Sequence, residues 1–460
     1  MSDVQLYKEI VILVSEKKIT LNGQMPLPYN KDEIKLQSSV ARTLQRVLRS
    51  YKFGSLKEKI FDNEDYLLLG QLLCQILIGE SVQGFIQYVL QEDIDSKNKK
   101  LKKRCRIYLQ FEQGIDEELA LLPWEYTWAQ LKDMNPLFLA ADLAGQFDFI
   151  RKTDNNDIQF TPEPNKKILI ILVYTEAEKI DTRPLKKMKS DLETNKEFKD
   201  LIIIREIIDP TYAGFGKELD KILKQEKQNI SGFIIHYYGH AKVEDEKGQI
   251  SLMNEAGADL EYILDSEFAD FFQDAGRRPE VIVLQACSSG QIVKYNNLEK
   301  RGVALLLSLK AIPAVVAMQN DVNVPDSFAF FEMFYTAILQ GDDVAEGVTK
   351  GRQHLGSTYL EGSRKMKYST NAFGAPILFI STKSPIQLFE KKTNVLLEVS
   401  DEKEEFSMAE KTETGKVQNE PRKASEDISE EKAENVRDKD QATPQKAVVE
   451  IKIPGATFNL

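Results

Sequence analysis

Six short apolar runs punctuate the middle of the chain: Ile168–Tyr174, Leu201–Ile208, Phe233–Tyr238, Val281–Ala286, Ala314–Met318 and Ile377–Ile380. Between most of them, apolar residues recur every three or four positions, as in Leu185–Phe198, Phe215–Gln225 and Asp265–Ala275. Strand-length apolar runs alternating with amphipathic helices predict an α/β fold, a mostly parallel sheet flanked by helices. In such sheets reactive groups collect just beyond the carboxyl ends of the strands. Upstream the pattern is mixed. Apolar Ile10–Val14 precedes helical spacing over Ser38–Tyr51 and Asp65–Gln91, and Arg104–Phe111 then alternates like a strand. The polar stretch Asn155–Lys167 carries Pro162 and Pro164. It predicts a boundary between an N-terminal α+β subdomain (1–155) and an α/β domain (156–385). No period of 20–50 residues supports a solenoid.

The apolar pattern fades after residue 385. From Ser400 to Ala447 there are 14 Asp or Glu against 9 Lys or Arg, with Phe406 as the one aromatic residue. Such a stretch cannot bury enough apolar surface to offset the entropy of ordering, which predicts a disordered acidic tail over 386–460. It ends in AVVEIKIPGATFNL, where Val448, Ile451 and Ile453 return to a strand-like pattern. That end suits either a docking segment added as a strand or a frayed terminus.

Charge and cysteine usage then narrow the class. The 460 residues carry a net −11, from 61 basic and 72 acidic side chains. This balance argues against coating nucleic acid, so no direct nucleic-acid partner is expected. Gly302–Met318 is broken by Ser308, Lys310 and Pro313 and reads as a buried helix followed by a strand; no membrane span is expected. The opening MSDVQLYKEIVILV has no basic n-region, so no secretory signal is visible. Three cysteines make no disulfide framework and fit a cytoplasmic, reducing setting.

Two strand ends carry candidate chemistry. One is Phe233–Tyr238 running into Gly239–His240, the other Val281–Ala286 running into Cys287–Ser288–Ser289–Gly290. The histidine precedes the cysteine by 47 residues, the order and approximate spacing given for caspase-like proteases, whose Q-A-C-[RQG]-G pattern is similar to QACSSG. A thiol of ordinary pKa about 8.5 is mostly protonated at neutral pH, and a neighbouring imidazole holds it as the nucleophilic thiolate. The backbone N–H of Cys287 and one from the Gly239–His240–Ala241 turn suit a developing oxyanion. Cys74 and Cys105 fall inside helical and strand patterns and read as core. His236 falls on the core side of its strand and His354 near a helix end, and both read as structural. The Glu244–Asp245 pair after His240 reads as a solvated turn.

Other chemistries lack their motifs. Gly214-Phe215-Gly216-Lys217 would need a glycine where Thr211 stands to make a phosphate loop, and no GxGxxG follows a strand. The scattered histidines and cysteines make no zinc set, and no cofactor is expected.

At this point the chain resembles the CHAT domain family, caspase-like cysteine peptidases related to separase and to bacterial CHAT proteases of defence and regulated-death systems. GHAKVEDEKGQISL and VIVLQACSSG resemble its histidine and cysteine blocks, and LLPWEYTW its L-P-W-E block. AIPAVVAMQNDVNVPDSFAFFEMFYTAILQGDDVAEGVTKGRQ resembles the block after the cysteine, and AFGAPILFI the closing strand. The resemblance implies a caspase-like sheet, His240 as general base, Cys287 as nucleophile and Gly239 in the turn shaping the oxyanion site. Family members commonly read Gly-His-Gly, whereas Ala241 follows the histidine here. Gln285 matches the caspase glutamine near the specificity pocket. Arg183, after the first strand of the catalytic sheet, suits an acidic substrate side chain or a plain surface position. The expectation is a cytoplasmic cysteine endopeptidase acting on a protein substrate. Control would come from a partner docking on the N-terminal region or the tail. The alternative is a catalytically silent CHAT-like scaffold acting through its tail.

Overall fold

The structure, a computed structural model, describes residues 6–15, 19–22, 25–27, 37–41, 63–77, 103–111, 117–120, 122–129, 137–142, 147–156, 158–176, 180–244, 247–286, 302–320, 322–359, 366–368 and 371–390. All six apolar runs form strands. In chain order the strands of interest are β1 (Leu6–Val14), β2 (Ile19–Leu21), β3 (Met25–Leu27), β4 (Lys103–Phe111), β5 (Phe147–Asn156), β6 (Lys167–Tyr174), β7 (Ile202–Ile208) and β8 (Ile230–Tyr238). Then come β9 (Ala241–Glu244), β10 (Lys247–Met253), β11 (Leu260–Leu264), β12 (Val281–Gln285), β13 (Ala314–Met318) and β14 (Pro376–Thr382).

Eleven of these make one sheet, in the order β3-β2-β1-β4-β5-β14-β13-β12-β8-β6-β7. From β13 to β7 every pairing is parallel. β14 pairs antiparallel with β13 yet parallel with β5, so the sheet reverses direction at that seam. The carboxyl ends of β13, β12, β8, β6 and β7 therefore open onto one edge. This is the mostly parallel, helix-flanked sheet that the alternating pattern predicts.

Helices cover both faces: α1 (Arg183–Thr194), α2 (Tyr212–Glu226), α3 (Asp265–Asp270), α4 (Val303–Leu309), α5 (Val324–Leu339) and α6 (Val344–Gly356). Strand alternation sorts the core into two layers. Ile168, Ile170, Leu172, Ile234 and Val283 pack with Leu185 and Met188 of α1 and with Phe330, Phe331 and Phe334 of α5. Leu169, Ile171, Phe233, Ile235 and Leu284 pack with Phe215 of α2, Phe268 of α3 and Leu307 of α4. Each such fully buried side chain contributes roughly 1.5–3 kcal/mol from apolar burial alone. Local signals set the helix starts. Thr211 Oγ1 accepts the Gly214 N–H at 3.1 Å, and Asn323 Oδ1 accepts the Asp326 N–H at 2.7 Å in the first turn of α5, which also carries Pro325.

The sheet has no break between 155 and 156, because β5 from the N-terminal stretch pairs with β14 from the far end of the chain. At the other end, the packed chain runs past residue 385: Ile386 and Leu388 are buried, and the Ile386 carbonyl accepts the Val344 N–H at 2.9 Å. The chain divides after Leu396, and all described residues belong to the first unit. The expected disorder of the acidic tail and its strand-like end falls on residues outside those described. Among the described residues, no helix is long and apolar enough to cross a membrane.

Candidate active site

The neighbouring strands β8 and β12 run parallel and in register, with Tyr238 opposite Gln285 as the last matched pair. Two residues beyond Tyr238 is His240, and two residues beyond Gln285 is Cys287. Cys287 lies outside the described residues; Ala286, just before it, is buried. Gly239 closes the two strand ends together, its N–H reaching the Gln285 carbonyl at 3.4 Å.

His240 is half-buried at the mouth of a three-stranded sheet, β9-β10-β11, that the sequence pattern does not announce. Its carbonyl accepts the Ser251 N–H at 2.9 Å, and its own N–H donates to Ser251 Oγ at 3.2 Å. Ala241 then pairs with Ile250. Given the neighbouring Ser251-to-His240 bond, 241–250 is a non-hydrogen-bonded pair, so the Ala241 N–H points away from β10. Ala241 has no positive φ. The turn therefore does not require the glycine common in the family at this position, since residue 241 already lies in strand geometry. Gly239 is needed for space. A Cβ there would stand 2.4 Å from the Tyr237 hydroxyl oxygen and 2.7 Å from its ring carbon Cζ.

On the opposite face of β8, His236 anchors a buried relay. Tyr335 of α5 donates its hydroxyl to His236 Nδ1 at 2.9 Å, and His236 Nε2–H donates to Gln285 Oε1 at 2.9 Å. Gln285 Nε2 donates to Ser327 Oγ at 2.9 Å, and the Ser327 hydroxyl donates to the Val324 carbonyl at 2.9 Å. One assignment of protons satisfies every member and fixes the neutral tautomer with hydrogen on Nε2. Gln285, which the resemblance puts near the specificity pocket, is 3% exposed with both ends of its amide committed, and it braces β12 against β8 and α5. Its bracing partners lie 42 and 49 positions away in the chain, beyond the reach of a local sequence pattern.

Burial holds the His236 imidazole down at about 4 from an ordinary 6.5, partly offset by the Gln285 bond. The fold thus favours the neutral ring. As pH falls from about 6.5 towards 4, the unfolded chain takes up a proton that the native state refuses. Stability is lost across that window, about 3 kcal/mol in all. His236→Asn, which cannot titrate, should remove this share of acid sensitivity. Urea midpoints of both proteins at pH 7 and pH 4.5 check it; equal midpoint differences would contradict it.

The remaining candidates separate clearly. Arg183 opens α1 with its side chain 89% exposed and its guanidinium bonded twice to Asp181, each contact 2.8 Å. These bonds hold the Asp181 carboxyl well below the usual carboxylate range, at about 2. The Tyr238 hydroxyl donates to the Asp181 carbonyl at 2.8 Å, tying the segment before α1 to the end of β8, while the Arg183 side chain faces solvent and its own acid. Cys74 and Cys105 are buried, and burial pushes the Cys105 thiol up to about 12. His354 is exposed in the last turn of α6.

Sequence reasoning missed Tyr237 and Ser251. Their parts in the turn rest on a pairing 11–14 residues distant that only β10 reveals. It also gave no role to Glu125 of the LPWEYTW block. Glu125 is fully buried, takes Arg151 of β5 at 3.0 and 2.7 Å, and accepts from Gln319 at 2.7 Å just past the end of β13.

A family model described as the CHAT domain matches residues 86–358. The chain belongs to the CHAT domain family. Within that span lie the LPWEYTW block, His240, Cys287 and the α5–α6 region of this CHAT protein, while β14 lies past its end. Among solved structures, this CHAT protein is similar to the separase chain of a Saccharomyces cerevisiae separase–securin complex. The identity is 16% and the TM-score 0.38, over 73% of this chain and 20% of that one. It is also similar to caspase-1 from Spodoptera frugiperda, at 10% identity and TM-score 0.31, over 53% of this chain and 97% of that one. The Drosophila initiator caspase Dronc gives 9% and 0.30, over 51% and 94%. The CHAT protein thus spans about a fifth of the separase chain. No curated protein matches.

Proposed function

We propose that this CHAT protein is a cysteine endopeptidase in which Cys287 is the nucleophile and His240 the general base. The observation that supports it most is the parallel register of β8 and β12, from whose last matched pair each chain runs on two residues to one member of the dyad. The Cys287 thiolate attacks the scissile carbonyl carbon, forming a C–S bond and a tetrahedral oxyanion. The Ala241 N–H, pointing away from β10, and the Cys287 N–H receive that charge. Protonated His240 gives its proton to the departing amine as the C–N bond breaks, leaving a thioester. Water then attacks the thioester, His240 accepts its proton, and the acid product leaves as the sulfur regains the thiolate form. The family resemblance to CHAT proteases of defence systems extends the proposal to a cytoplasmic enzyme with basal activity on short peptides that a protein partner activates towards its protein substrate.

The test is covalent capture. A panel of peptidyl acyloxymethyl ketones should leave an adduct that peptide mass mapping finds on Cys287 and not on buried Cys74 or Cys105. Absence of any Cys287 adduct across a panel varied at every position would count against the proposal.

A further inference from the structure

Tyr237 is 1% exposed and faces the layer opposite to His236. Its hydroxyl lies 2.7 Å from the Ser251 carbonyl oxygen, 2.9 Å from Ser251 Oγ and 3.0 Å from the His240 carbonyl oxygen. Ser251 is fully buried and holds both backbone polar groups of His240, taking its N–H and giving to its carbonyl. Ser251 Oγ accepts from His240 and gives its own proton to the Tyr237 oxygen, while the phenol gives its proton to the two carbonyls. Burial pushes the Tyr237 phenol above its ordinary range, so it keeps the proton it donates. The Tyr237 ring is set by edge contact with Phe268 at 6.1 Å. Gly239 supplies the space that lets the phenol lie against the turn.

We propose that Tyr237 and Ser251 are positioning residues that hold the His240 backbone so that its imidazole can act on the Cys287 thiol. The inference rests on the Cys287–His240 dyad proposed above. A turn held only by its strand ends would let the imidazole wander, and an ångström of displacement is enough to weaken a proton-transfer pair. Here the turn is pinned by both backbone groups of His240 itself, from a partner that cannot follow solvent. The pin acts through the backbone, so neither Tyr237 nor Ser251 need meet substrate.

The experiment uses the full chain and iodoacetamide, with the alkylation rate of Cys287 followed against pH by mass spectrometry of its peptide. Wild type should show an apparent thiol pKa below the ordinary value of about 8.5. His240→Ala should return it to about 8.5. Tyr237→Phe and Ser251→Ala should each move it at least about half a pH unit towards the ordinary value. Ser251→Thr, which keeps the hydroxyl, should recover part of that shift. Melting temperature is measured alongside, because loss of buried hydrogen bonds lowers it whatever the role. If Tyr237→Phe and Ser251→Ala both melt lower yet keep the wild-type profile while His240→Ala changes it, the positioning role is wrong and the dyad stands. If His240→Ala leaves the profile unchanged, the dyad fails and the positioning role falls with it.

Discussion

Replacing His240 by alanine is expected to slow peptide cleavage by about 10²- to 10⁴-fold. The imidazole is asked to do two things, to hold the thiol as thiolate and to deliver a proton to the leaving amine. Alanine can do neither. The Michaelis constant should change little, because the imidazole acts on the reacting bond and not on the remote parts of the peptide. The alkaline limb of the pH–rate profile, set by loss of the His240 proton, should disappear, and the acid limb should move up towards the ordinary thiol value of about 8.5. The fold should persist, since the backbone N–H and carbonyl of residue 240 both bond to Ser251 and alanine keeps both groups. Initial rates on a peptide library, with circular dichroism to confirm folding, check the outcome; a folded variant of wild-type rate would refute the role.

The second large effect is on stability. Glu125→Ala should cost about 3–5 kcal/mol, because it strands the buried Arg151 guanidinium. Arg151 is 3% exposed and depends on Glu125, on the Ala120 carbonyl at 3.1 Å and on the Leu122 carbonyl at 3.0 Å. Two carbonyls solvate a cation far less well than a bidentate carboxylate. The Gln319 side chain loses a partner at the same time and keeps only its bond to the Gly374 carbonyl and a long contact with Arg151. Replacing both members of the pair, as Glu125→Leu with Arg151→Met, should cost clearly less than Glu125→Ala, because no charge is left buried alone. Urea denaturation of the three proteins measures this; a single variant within about 1 kcal/mol of wild type would show that the pair contributes no more than an exposed one.

The contrast between the two halves of the sheet explains how much of the fold was legible. β6, β8, β12 and β13 are buried on both faces by helices and are mostly apolar, so a short window finds them. β4 and β5 read KRCRIYLQF and FDFIRKTDNN, with charges inside the strand. Arg104, Arg106, Asp148, Arg151 and Lys152 are buried, and their partners arrive from far along the chain. Arg104 and Arg106 meet Asp148, Arg106 also meets Asp343, and Thr349 donates to Asp148 at 2.8 Å. No window of ten or twenty residues contains both ends of such a pair, so β5 reads as the approach to a boundary.

The site divides in the same way. A strand that ends in a glycine and a histidine is visible locally, as is one that ends in a cysteine and small residues. Gln285 is visible too, yet its function depends on His236 across the strand pair and Ser327 on α5, which sequence spacing does not bring together. Tyr237 reads as one more aromatic residue in an apolar strand until β10 folds back and sets Ser251 beside it.

The account stands most directly on cleavage itself. A peptide library exposed in parallel to the wild-type chain and to Cys287→Ala, with products identified by mass spectrometry, measures it. The expected result is a consistent set of cleaved bonds with wild type and none with the variant, both proteins melting at the same temperature. Cleavage by folded Cys287→Ala at the wild-type rate and at the same bonds would contradict the account.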